Sequence, residues 1–78
     1  MKIGFFKAVV VCSKKWEKDG KKFNTIEFSI FGLGSTKFTV DEKLVPDLID
    51  GSMVKFELEL GIRDGRFYVK PNWESLEL

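Results

Sequence analysis

Histidine is absent from this chain of 78 residues, and cysteine and tyrosine occur once each. Without histidine, no side chain has an ordinary pKa between 5 and 8, so the commonest general base is missing. A lone thiol, Cys12, cannot close an internal disulfide. Set in an apolar stretch, it reads as a small buried hydrophobe, and a reducing, cytoplasmic compartment is expected. No apolar run approaches the roughly 20 residues of a membrane-spanning helix, so no membrane partner is expected. The opening Met1-Lys2-Ile3-Gly4-Phe5-Phe6-Lys7 is interrupted by charge and reads as a strand rather than a secretory leader. No excess of one charge sign is present either, because the net charge is only +1.

The other catalytic signatures are missing too. Asp41-Glu42, Asp47 and Asp50 stand where caps and turns favour acids and lack a metal-ligand spacing. Gly32-Leu33-Gly34-Ser35 has no following Lys-Ser/Thr pair and is not a phosphate loop. The expectation is a non-enzyme with no cofactor and no small-molecule substrate.

What the chain does have is 44% hydrophobic and 32% charged residues, the balance of one globular domain over 1–78. Its charge is unevenly placed. Residues 1–37 carry a net +5, whereas residues 38–78 carry a net −4. Such asymmetry hints at nucleic-acid contact.

One phrase occurs twice: Lys18-Asp19-Gly20-Lys21 and Arg63-Asp64-Gly65-Arg66. Asp-Gly between strand-like runs signals a two-residue type I′ hairpin, in which both central residues need positive φ. Around the turns the pattern alternates with period two. Val54, Phe56, Leu58 and Leu60 alternate with Lys55, Glu57 and Glu59; Ile26, Phe28 and Ile30 alternate with Glu27 and Ser29. Phe23 falls out of phase, which suggests a bulge near Asn24 and Thr25. The first strand, about Lys2 to Cys12, is apolar on both faces. Its second face calls for a curled barrel, a subunit partner or bases to cover it. After Phe38 and Val40, the segment from Asp41 to Ile49 is the one helical piece, capped by Asp41 and cut short by Pro46. The fifth strand runs over Phe67 to Lys70, with a bend at Pro71-Asn72 before Trp73.

The order β-β-β, short helical turn, β-β predicts an all-β, five-stranded OB-fold barrel, with an SH3-like barrel as the rival. On an OB-fold the two basic turns become the loops that grip oligonucleotides together with the face of strands 2 and 3, and they are expected at one mouth of the barrel. Lysines beside aromatics offer phosphate neutralisation and base stacking at once. The candidate phosphate contacts are Lys14, Lys15, Lys18, Lys21, Lys22 and Arg66, with Trp16, Phe23 and Tyr68 under bases. Phe31, Lys37 and Arg63 complete the set. Trp73 reads as core or dimer packing.

The run Lys18-Asp19-Gly20-Lys21-Lys22-Phe23 resembles the hairpin wing of the filamentous-phage gene V type single-stranded DNA-binding proteins. Asp50-Gly51-Ser52-Met53-Val54-Lys55-Phe56 and the Gly65-Arg66-Phe67 hairpin follow in similar order. The resemblance covers most of the chain and rests on turns, glycines and alternation. It implies an OB-fold homodimer that coats single-stranded DNA without sequence specificity during phage or mobile-element replication in a bacterial cytoplasm, with RNA as the other candidate polymer. Lys21 and Phe23 match the wing tip, and Arg66 with Phe67 the second loop. Lys22 stands where the family often has proline, and of its strand 2–3 tyrosines only Phe31 has a counterpart. The alternative from a different class is a small SH3-like or OB-like protein-interaction module, with Trp16 and Phe31 marking its groove.

Overall fold

The computed structural model describes residues 1–78. Alternation becomes strand throughout: β1 (Lys2–Lys18), β2 (Lys21–Ile30), β3 (Gly34–Asp41), a 3-10 turn (Glu42–Leu44), β4 (Met53–Arg63) and β5 (Arg66–Glu77). They form one antiparallel sheet in the order β3-β2-β1-β4-β5. The chain is thus all-β, as expected. The hydrogen-bonded sheet is open, with β3 and β5 as its two edges. Side chains bridge those edges, since the Phe38 ring on β3 meets Trp73 on β5 edge-on at 6.4 Å. No helix is long and apolar enough to cross a membrane.

Both Asp-Gly turns take the expected geometry. Asp19 and Gly20 have φ of 53° and 78°, and Asp64 and Gly65 have 51° and 74°. Positive φ at both centres matches the twist of the flanking strands, so each hairpin closes directly, Lys18 on Lys21 and Arg63 on Arg66.

The core lies on one face of the sheet. Ala8 and Val10 of β1, Ile26, Phe28 and Ile30 of β2, Val40 of β3, and Val54, Phe56 and Leu58 of β4 are buried, with Val45 covering one end. Phe28 is the hub, 4.9 Å from the Phe56 ring and 6.2 Å from both Phe38 and Trp73. Trp73 is therefore a core-packing residue. At its polar end the buried stripe of β2 continues into Asn24, whose Oδ1 accepts a hydrogen bond from the Ser13 hydroxyl at 2.8 Å. A satisfied amide can sit inside at little cost, whereas an unpaired one could not.

Asn24 also explains why the bulge is not where the pattern suggested. β2 pairs with β3 without any shift in register, Phe23 to Asp41 through Ile30 to Gly34. Phe23 lies out of phase because it belongs to the outer face and Asn24 to the inner one. The irregularity falls on β1 instead, between Val10 and Cys12, opposite β2. That strand is longer than expected, since Lys14 to Lys18 continue its ladder along β2. β5 likewise runs on past Lys70. Its bend near Asn72 is a large bulge, with Glu57 opposite Asn72 and Lys55 opposite Glu77, so that Phe56 alone faces Trp73 to Leu76. Ser75 Oγ holds the bulge by accepting from the Glu57 amide at 2.8 Å and donating to the Asn72 carbonyl at 2.6 Å.

The helical segment shrinks to a single 3-10 turn, with the Asp41 carboxylate accepting from the Lys43 amide at 2.9 Å. The loop from there to β4 is pinned across β1. Gly51 N–H donates to the Val10 carbonyl, Val10 N–H to the Ser52 carbonyl, and Ser13 N–H to Asp50 Oδ1. The second apolar face of β1 stays uncovered within one chain, with Ile3, Phe5 and Val11 exposed.

Candidate nucleic-acid interface

On the outer face of β1, β2 and β3 the register sets side chains in rows. Trp16, Phe23 and Asp41 form the row nearest the first hairpin tip; Lys14, Thr25 and Thr39 follow, and then Cys12, Glu27 and Lys37. The reason is period two: with Asn24, Ile26 and Phe28 turned into the core, their odd-numbered neighbours on β2 face out. The bulge at Val11 brings Cys12, Lys14 and Trp16 of β1 onto the same face.

Trp16 and Phe23 stack across the two strands, ring centroids 4.7 Å apart and planes 29° off parallel. The indole Nε1–H donates to Thr25 Oγ1 at 2.8 Å, and Thr25 Oγ1 lies 3.0 Å from Thr39 Oγ1. This chain of contacts fixes the plane of the indole relative to the sheet. Trp16 nevertheless remains 42% exposed. A large ring oriented on one side and open to water on the other is a ready platform for another flat group. Lys14, Lys18, Lys21 and Lys37 are exposed along this face, whereas Lys22, paired with Glu17, has the parity of Asn24 and lies on the opposite face with Lys15.

Lys15 is different. It pairs with Asn24 on the opposite face, where its ammonium is hydrogen-bonded to Asp47 and lies 3.5 Å from Glu42. Its pKa is raised, chiefly by the hydrogen bond to Asp47; desolvation opposes this, and attraction to the carboxylates of Asp47 and Glu42 adds to the rise. Of the lysines near the first hairpin, this one is already matched by acids of the loop between β3 and β4. Sequence could not show that, because Asp47 is 32 residues away.

The second hairpin builds a separate cluster. Arg63, Asp64, Arg66, Phe67, Tyr68 and Lys70 line a cleft of about 700 Å³ on the β4–β5 arm. Gly61 stands opposite Tyr68, and the outer end of the phenol ring packs against it. A Cβ at that position would come within 2.6 Å of Tyr68 Oη and 2.8 Å of Cε1, so only glycine leaves room for the ring. Lys70 and Phe67 join Arg63, Arg66 and Tyr68 here; the alternation across the hairpin could have pointed to Lys70.

The two basic tips do not share one mouth. β1 begins beside Glu59, close to the second hairpin, and ends at the first, so the tips lie at opposite ends of its pairing register. The sequence suggested proximity because it fixes strand order but not how far one strand overhangs the next. Phe31 is also apart from Trp16. It sits in the β2–β3 turn at the far end of β2, a chain distance of about 26 Å from Phe23 at roughly 3.3 Å per residue. Comparison of the chain with family models, with curated proteins and with solved structures finds no match.

Proposed function

We propose that this protein binds single-stranded DNA along the outer face of β1, β2 and β3, by lysine–phosphate contacts and by stacking bases on Trp16. The observation that carries the reading is the oriented yet half-open indole, stacked on Phe23 and sharing its face with Lys14, Lys18 and Lys21, none of which forms an ion pair. Stacking on a π-face and charge neutralisation need no particular sequence, so binding is broadly non-specific. Phe23 supports the platform from beneath rather than taking a base itself. Lys14, Lys18, Lys21 and Lys37 are the phosphate contacts of this face, and Lys22 lies on the opposite one. Arg63, Arg66 and Tyr68 form a second contact on the β4–β5 arm.

The order β3-β2-β1-β4-β5 is the one obtained by opening a five-stranded OB barrel between β3 and β5, and the Phe38–Trp73 contact lies on that seam. With the gene V type resemblance, this favours a protein that coats single-stranded DNA in phage or mobile-element replication. The exposed Ile3, Phe5, Val11 and Met53 favour a homodimer. A protein-interaction module is the second reading, favoured by the arm, where Ile62 and Phe67 are 67% and 70% exposed.

Titration with oligo-dT, followed by tryptophan fluorescence across a salt series, tests the proposal. Quenching at low salt that is lost in Trp16→Phe, with affinity falling steeply as salt rises, is expected. No quenching, or an affinity indifferent to salt, removes the DNA reading in favour of the second.

A further inference from the structure

Glu27 is the one acid in the middle of the lysine-bearing outer face. It occupies the centre of its row, between Cys12 on β1 and Lys37 on β3, with Lys14 and Thr25 in the next row. These five side chains line a shallow cleft of about 130 Å³. Glu27 is half-buried, yet no ion pair joins it to Lys37 or Lys14, and the nearby Thr25 hydroxyl is engaged with Trp16 and Thr39. A carboxylate on a surface that attracts phosphates repels the backbone it should hold, and partial burial without a donor adds a desolvation cost.

Both disadvantages become assets if a donor arrives with the ligand. We propose that Glu27 is a base-reading residue, accepting a hydrogen bond from the exocyclic amine of a base laid over this cleft. The proposal rests on the single-stranded DNA reading above and adds a preference to it. An ionised carboxylate only accepts. Cytosine and adenine each present an amine, and guanine presents an amine beside a ring N–H, which matches both carboxylate oxygens. Thymine offers a single N–H between two carbonyls, and those carbonyl oxygens oppose the carboxylate. Glu27 lies about 13 Å from Phe23 along β2, at ~3.3 Å per residue, so the base it reads is not the one on Trp16. Lys37 and Lys14 on either side carry the adjoining phosphates, which keeps the backbone off the acid.

The test compares equal-length oligo-dT, oligo-dC and a dT oligomer carrying guanine at every third position, at one fixed low salt. Wild type is expected to bind the two amine-bearing oligomers about 10- to 150-fold tighter than oligo-dT, the value of one good hydrogen bond to a charged group. Glu27→Ala and the strand-favouring Glu27→Val should bring all three affinities together, and should raise that for oligo-dT by removing an anion. Equal affinities in the wild-type protein, or a preference that survives both substitutions, would overturn the role of Glu27 while leaving single-stranded DNA binding intact. Failure to bind any of the three would remove both readings.

Discussion

Replacing Trp16 by leucine separates a stacking platform from a structural ring. The substitution removes the contact with Phe23, an aromatic pair of about 0.5–1.5 kcal/mol. It also removes the indole hydrogen bond to Thr25, which at an exposed site contributes about 0.5–1 kcal/mol. Leucine still covers part of the Phe23 ring, so the net loss is about 1–2 kcal/mol. For a domain of this size that lowers Tm by roughly 5–15 °C. The matched control is Ile26→Val, fully buried in the core, which costs a comparable ~0.5–1.5 kcal/mol. At a temperature where both variants are folded, Trp16→Leu should lose roughly 5- to 150-fold in oligo-dT affinity, the equivalent of one stacked base at ~1–3 kcal/mol. Ile26→Val should bind like wild type. Circular dichroism melts give the stabilities, and fluorescence anisotropy with a labelled oligomer gives the affinities without relying on tryptophan. Equal losses of affinity in the two variants, or none in Trp16→Leu, would refute the assignment.

Phe28→Ala, at the hub of the aromatic core, should cost about 3–5 kcal/mol and leave a domain with so few buried residues largely unfolded at 37 °C; a cooperative melt near that of wild type would contradict the core assignment. Gly61→Ala should displace the Tyr68 ring with a stability change of about 1 kcal/mol or less, because a flexible side chain rather than backbone gives way. Its signature is a changed Tyr68 ring environment in proton NMR, and an unaltered spectrum would count against the close packing. Lys15 has a folded-state pKa above its ordinary 10.5, so its pairing stabilises the fold below that pH and is lost as pH rises through the raised value. The Tm difference between wild type and Lys15→Met should therefore be constant through neutral pH and shrink above pH 10.5; a difference that grows with pH would reverse the sign. Because Lys15 is already matched, the same variant should bind oligo-dT almost as wild type does, whereas Lys21→Met should weaken binding and flatten the salt slope by about 0.7.

Local physics made the strands and both hairpins legible from sequence. Period-two alternation marks a half-buried strand wherever it occurs, and Asp-Gly is one of few dipeptides that accept positive φ at both positions of a two-residue turn. The cap at Asp41 and the short helical turn follow from the same kind of rule. The grouping of Trp16 and Phe23 with lysines around the first turn was visible as well; their stacking on each other follows from the ladder, which sets the two directly opposite.

What tertiary structure alone decided depends on partners distant in the chain. Whether Lys15 is free or held is settled by Asp47 and Glu42, which reach it only after the β3–β4 loop folds back across β1. Whether Phe23 marks a bulge or an outer face is settled by the Ser13 hydroxyl, which makes Asn24 acceptable inside. The separation of the two basic hairpins depends on the stagger of β4 against β1, a register that side-chain packing chooses and alternation cannot specify beyond its parity. Composition and periodicity thus located the strands and the two hairpin turns. Only the folded sheet decided which charges remain available to a ligand, because neutralisation acts through space and not along the chain.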